Sequence, residues 1–239
     1  MTRFTKSRSR TDLIVEDSKD YHDYVFRDGK LVGEFEAMYR NSEGVPWHQD
    51  EQENWVDVRL TREMLHNMKP YSEIHDLGCG LGNYLAIMRR TVGADTCQCF
   101  GYDISETACQ KSRQAWPDFR FSQLDLTLSV VPNQDKTSRN SGAKRLFVIR
   151  GTLWYVFPKM DAVVETIRSL MSDGDQLLVV QNFPPLGSSF IGKEVIPDHQ
   201  SLIKHFSSAF LLTRHVWYED TLKLANDNWF IGIFSVKDR

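Results

Sequence analysis

Hydrophobic and polar positions follow two rhythms along the chain. Helical spacing marks Trp55 to Met68, residues 83–91, the stretch from Ser105 to Trp116, and residues 159–171, where Met160, Val163, Val164, Ile167 and Leu170 recur. Between these lie short strand-like runs at 73–77, 97–103, 119–126 and 145–150. Residues 119–126 alternate apolar and polar, whereas 176–183 is apolar on both faces, as in a buried central strand. Two further strand-like runs, 210–218 and 228–236, close the chain. From residue 70 onward the pattern is α/β. Its punctuation agrees: Ser105 and Asp198 stand where helix N-caps are needed, and Asp173-Gly174 is a turn signal.

The front of the chain reads differently. Residues 1–20 are polar, with Arg3, Lys6, Arg8 and Arg10 near the start, and predict a flexible tail. Residues 21–69 form a second segment, dense in aromatics. Asp28-Gly29 is a turn between two apolar stretches, and Phe35, Met38 and Tyr39 have helical spacing. Pro46 opens a polar loop, Pro46-Trp47-His48-Gln49. Residues 127–144 are polar and rich in breakers and predict a surface loop.

Composition narrows the class without choosing a function. The 239 residues carry 41% hydrophobic and 26% charged side chains, ordinary for a globular protein. A net charge of −3 gives no global reason to expect nucleic-acid binding, and no apolar run approaches a bilayer span. The N-terminus lacks the apolar stretch of a secretory signal. The four cysteines, Cys79, Cys97, Cys99 and Cys109, form no C-x-x-C pair, so a reduced, cytoplasmic protein with buried thiols is expected and no metal site.

The chemistry concentrates after the first strand. Asp76-Leu77-Gly78-Cys79-Gly80-Leu81-Gly82 has glycines at alternate positions between an apolar run and a helix. Glycine there permits a tight strand-to-helix turn and close approach of a ligand, and the helix start aims N–H groups at something negative. The dinucleotide pattern G-x-G-x-x-G fails, because Asn83 stands where its third glycine belongs. The second strand ends in Asp103, about 20 residues past the glycines, where nucleotide-binding folds place an acid for ribose hydroxyls. The third also ends in an acid, Asp125. Three carboxylates thus fall at one edge of one sheet.

The run Asp76 to Gly82, the Gly101-Tyr102-Asp103-Ile104-Ser105-Glu106 stretch and Asp125-Leu126 together resemble the motifs of class I S-adenosylmethionine-dependent methyltransferases. That resemblance implies a Rossmann-like, seven-stranded, mostly parallel sheet in the order 3-2-1-4-5-7-6, with helices on both faces and residues 21–69 as a lid over a domain spanning 70–239. It implies S-adenosyl-L-methionine as cofactor. Asp76 is implied near its ammonium, Asp103 on its ribose hydroxyls, and Asp125 with Leu126 at its base, with Gly78, Cys79, Gly80, Gly82 and Ile104 in the same cofactor-binding set. Arg150, at the end of the fourth strand, and Trp47 of the lid join that set.

The resemblance further implies SN2 methyl transfer to an amine or hydroxyl. His48 is the candidate proton acceptor, and Tyr39, Trp154, Tyr155 and His199 are candidate substrate contacts; Trp154 and Tyr155 serve equally well as packing of a helix start. The fourth strand lacks the Asn/Asp-Pro-Pro-Tyr of base-modifying amino methyltransferases, which argues against a nucleic-acid base as acceptor. Gly-Glu-Phe-Glu and Pro-Trp-His-Gln are similar to stretches of bacterial sugar- and glycan-pathway methyltransferases, including the Nod-factor type. The expected partner is a small-molecule acceptor, in a monomer or homodimer with no membrane contact. Two alternatives stay open: methylation of a protein or RNA, and a non-catalytic cofactor-binding partner protein.

Overall fold

A computed structural model describes residues 18–27, 30–68, 70–128, 144–185, 190–220 and 228–237. Most of the expected tail, the Asp28-Gly29 turn and most of the 127–144 loop lie outside the described residues.

The sheet has seven strands: β1 (Tyr71–Leu77), β2 (Gly93–Asp103), β3 (Arg120–Gln123), β4 (Arg145–Arg150), β5 (Gln176–Phe183), β6 (Phe210–Tyr218) and β7 (Asn228–Val236). Their order is β3-β2-β1-β4-β5-β7-β6. The first five pair in parallel, and β7 pairs antiparallel with both β5 and β6. This is the order that the sequence resemblance implied. Parallel pairing places the carboxyl ends of β1 to β5 along one rim.

Helices cover both faces, which is why the middles of β4 (146–149) and β5 (177–180) are apolar on both sides. The chain forms α1 (His22–Val25), α2 (Phe35–Asn41), α3 (Val56–Leu65), α4 (Asn83–Val92), α5 (Glu106–Ala115), α6 (Met160–Leu170) and α7 (His199–Phe206). Leu146, Val148, Leu178 and Val180 share one buried cluster with residues of α3 and α4. Their alternate neighbours Phe147, Ile149, Leu177 and Val179 share the other with α6 and α7. Period two along the strands thus feeds two cores. His75 lies within the sheet, stacked between Phe100 and Phe147 at 4.6 and 4.4 Å, as its place inside the first strand suggested.

Some boundaries differ from the periodicity, each for a local reason. β3 stops at Gln123 instead of running to 126 because Asp125 Oδ1 takes the Thr127 N–H at 2.8 Å and turns the chain. α3 stops at Leu65 instead of Met68, where the His66 N–H bonds back to the Glu63 carbonyl in a tightened last turn. β2 begins earlier than expected, with Gly93 paired to Tyr71.

Candidate cofactor and acceptor cavity

One cavity of about 850 Å³ opens over the rim formed by the ends of β1 to β5, within the size range of small-molecule sites. Its floor begins with the glycine turn. Gly78, Gly80 and Gly82 have φ of 84°, 52° and 79°. A Cβ on Gly78 would lie 2.2 Å from Thr152 Oγ1, and one on Gly80 would lie 2.4 Å from Gln49 Nε2. Both positions therefore require glycine on conformation and on space. The neighbours that fill that space are protein groups. The loop N–H groups are also engaged from within: Gly80 N donates to Asp103 Oδ2 and Leu81 N to Gln49 Oε1, each at 2.9 Å. The negative group expected at this turn is supplied, at Gly80, by Asp103 itself.

Three carboxylates line this flank. Asp76 is 2% exposed, and its Oδ2 has no hydrogen-bond partner. Burial pushes its carboxyl up to about 7, against the pull of Arg150 and with a further push from Asp103. Asp103 accepts the Gly80 N–H and the Ser105 N–H, yet burial still holds its carboxyl above the usual range. Asp125 Oδ1 is taken by Thr127 N and Oγ1, both at 2.8 Å. Ile104, 45% exposed, stands at the mouth, and Cys79 and Leu126 are buried in the lining.

Arg150 sits where this flank meets the next. Its Nε donates to Asp57 Oδ2 at 2.7 Å and its Nη1 to Gln52 Oε1. Its guanidinium lies over the rings of Tyr84, Trp55 and Trp229, at 4.7 to 5.8 Å. Gln52 Nε2 in turn donates to the Trp47 carbonyl at 2.7 Å, which ties the strand end to the Pro46–Gln49 stretch.

The segment 21–69 is held from two sides. Trp47 lies 5.9 Å from Tyr155 and 6.3 Å from Tyr39, ring centre to ring centre. Trp47 and His48 both adopt positive φ, 53° and 49°, an arrangement that costs non-glycine residues free energy and persists only where surroundings enforce it. On the other side, Glu36 accepts from Ser105 Oγ at 2.7 Å, Thr107 N at 3.2 Å and Thr107 Oγ1. Burial opposes that charge, but the donors of Thr107 and Ser105 outweigh it and hold the Glu36 carboxyl down at about 2. Tyr39 packs at the glycine turn, its hydroxyl beside the place a Gly80 Cβ would occupy.

Beyond β4 and β5 the lining changes character. Trp154, Tyr155, Lys159, Asn182 and Phe190 wall this flank. Trp154 meets Phe190 edge to face at 5.0 Å and donates from Nε1 to Asn182 Oδ1 at 2.7 Å.

The same fold recurs in solved structures. A protein solved in work on the conversion of a disulfide bond into a thioacetal group during echinomycin biosynthesis superposes with a TM-score of 0.58. The identity is 14%, over 85% of this chain and 91% of that one. The N-methyltransferase NodS of Bradyrhizobium japonicum WM9, solved with S-adenosyl-L-homocysteine, gives 0.55 at 15% identity over 82% and 94%. The chain has the class I S-adenosylmethionine-dependent methyltransferase fold. Among curated proteins, the carboxy-S-adenosyl-L-methionine synthase of Aliivibrio salmonicida (strain LFI1238) is 28% identical over 116 residues, 48% of this chain and 46% of that protein. The chain thus spans about half the length of the curated relatives it matches. No family model matches.

Within the methyltransferase fold, most expected site residues converge on one cavity. Gly78, Cys79, the three acids, Arg150, Trp47, His48, Tyr39, Trp154 and Tyr155 all line it. Gly80, Gly82 and His199 do not join them: the two glycines lie in the turn behind the lining. As the first residue of α7, capped by Asp198, His199 stacks on Trp217 of β6 at 4.1 Å and is absent from the cavity wall. His48 lines the cavity but is exposed. Gln49, Gln52, Lys159, Asn182 and Trp229 line the cavity without having been anticipated. A polar residue at the carboxyl end of the apolar β5 run was the available signal for Asn182; nothing in local sequence marked Lys159 or Gln52.

Proposed function

We propose that this protein binds S-adenosyl-L-methionine along the acid flank and transfers its methyl group to a small molecule held under the lid. One observation carries the reading: three carboxylates at successive strand ends face one cavity with the glycine turn, and one of them, Asp76, is buried with an oxygen left unpartnered. An ammonium would satisfy that oxygen and stabilise the charged form of Asp76. Asp103 has lone pairs to spare for a vicinal diol beyond its two backbone donors. Ile104 and Leu126 supply apolar faces for a base, with Asp125 beside them. The residues fit the cofactor.

When bound, S-adenosylmethionine supplies an electrophilic methyl, which forms a bond to the acceptor while the broken carbon–sulfur pair stays on sulfur. The chain's task is then to hold the two reactants in line and dry. The lid rings of Tyr21 and Trp47, with Tyr155 facing them from beyond β4, enclose the space, which suits a small acceptor better than a macromolecule. Where the acceptor atom carries a proton, this reading assigns its removal to His48, which lines the cavity, and unchanged turnover in His48→Ala removes that role. Calorimetric titration with S-adenosylhomocysteine against NAD tests the cofactor assignment, and labelled-methyl transfer to a panel of small acceptors tests the reaction.

The carboxy-S-adenosyl-L-methionine synthases favour a second reading, in which the cofactor itself is modified. Recovery of a cofactor heavier by one carboxyl group, with no methylated acceptor, would establish it.

A further inference from the structure

The cavity is electrically divided. Its three side-chain carboxylates, Asp76, Asp103 and Asp125, all belong to the ends of β1, β2 and β3. Among the described residues, no side-chain carboxylate lines the flank beyond β4 and β5. That flank carries Lys159, which makes no ion pair among the described residues and lies on the exposed rim.

The neutral polar group there is biased the same way. An indole N–H only donates, so the Trp154 Nε1 contact fixes Asn182 with Oδ1 toward Trp154. Gln181 Nε2 approaches that same oxygen at 3.3 Å. Asn182 therefore has its oxygen occupied and, among the described residues, its NH₂ donors left over. Beside these donors stand the Trp154 and Phe190 rings, which prefer planar, apolar partners.

We propose that this flank binds an aromatic carboxylate: the ring against Trp154 and Phe190, the carboxylate oxygens on the Lys159 ammonium and the Asn182 NH₂. The inference rests on the methyl-transfer reading for its placement, since it takes this flank to be the acceptor end. It also separates the acceptor from the amino sugars that sequence resemblance suggested. An acceptor held as a cation here would meet a lysine and no counter-charge. A charge-assisted pair with Lys159 adds strength that a neutral alcohol cannot match.

Saturation-transfer NMR on the full chain with saturating S-adenosylhomocysteine tests this with three probes: benzoate, benzylamine and acetate. Benzoate should give signals that benzylamine and acetate do not. Lys159→Gln should weaken benzoate about tenfold, and Lys159→Glu should abolish benzoate and admit benzylamine, with S-adenosylhomocysteine affinity unchanged in both. Absence of a benzoate signal, equal signals from benzoate and benzylamine, or indifference to Lys159→Gln would overturn the proposal. Failure of S-adenosylhomocysteine to bind in calorimetry would instead sink the cofactor reading, so the two failures are distinguishable.

Discussion

Along the ends of β1, β2 and β3 the cavity is walled by carboxylates, two of them buried and raised in pKa, on backbone that turns at glycine. Along β4 and β5 it is walled by rings, one lysine and an amide. The first flank has its partners written into successive strand ends, each acid within a few residues of its strand. The second draws on a loop after β4, the end of β5 and a segment near residue 190. A region built from repeated strand–acid units is conserved in form by the sheet itself. A region built from unrelated loops is free to vary, which is what a change of acceptor needs. Arg150, at the boundary, is the place to break the comparison first.

The largest expected effect is on the fold. Arg150→Met would leave Asp57, 0% exposed, buried without its cation, at a cost of about 3–5 kcal/mol. Chemical denaturation should show that loss, and adding Asp57→Asn should recover much of it. A loss that persists in the double variant would mean that ring packing, and not charge, holds the junction.

Next comes the acid flank alone. Asp103→Ala removes the acceptor for Gly80 N and Ser105 N and the proposed ribose contact together. S-adenosylhomocysteine affinity should fall about 100-fold, the scale of a lost pair of hydrogen bonds to a charged group, while benzoate binding at the other flank is measured separately. Equal loss at both flanks would show that the two are not independent.

Asp76 gives a smaller and more discriminating effect. Its folded carboxyl titrates near 7, above its ordinary value of 3.8. A raised carboxyl favours the protonated fold, so its contribution to stability is present at low pH and is lost as pH rises through about 7. Asp76→Asn should therefore be the more stable protein at pH 8, by on the order of 2 kcal/mol, and the gain should shrink as pH falls below about 7 and vanish only below the ordinary carboxyl value of 3.8. Cofactor binding should move the other way: affinity for the cationic nucleoside should drop as pH falls below about 7 in the parent and lose that dependence in Asp76→Asn. Thermal melts and titrations over the same pH series read both.

The division between flanks also explains what sequence alone could and could not show. The strands and the three acids at their ends were legible from apolar periodicity, while the strand order was legible only through the motifs that carry the family resemblance. The aromatic density of residues 21–69 was legible as a group, and Trp154 and Tyr155 follow β4 as the sequence placed them. What escaped were contacts made by distant residues with no local signature: Gln52 on Arg150, Gln49 in the glycine turn, Lys159 on the rim. His199 misled for the converse reason. Its loop position pointed to the rim, but the Asp198 cap draws it into α7 and Trp217 takes its ring.

The smallest predicted effect tests whether the lid couples the flanks at all. Glu36 joins α2 to the start of α5, two residues beyond Asp103, so it links the lid to the acid flank without touching the aromatic one. Its carboxyl is held low, so its contribution is present above the ordinary carboxylate value and fades as pH falls toward 2. The side chain is 45% exposed, and solvent screening keeps the contribution under about 1 kcal/mol. Glu36→Gln should thus leave thermal stability almost unchanged at neutral pH. If the lid closes over bound nucleoside, S-adenosylhomocysteine should dissociate about two- to fivefold faster, a change of under about 1 kcal/mol, and stopped-flow tryptophan fluorescence would read it through Trp47. An unchanged dissociation rate with the same Trp47 signal would mean that the Trp47–Tyr155 contact alone holds the lid, and the control of release would then lie with the aromatic flank.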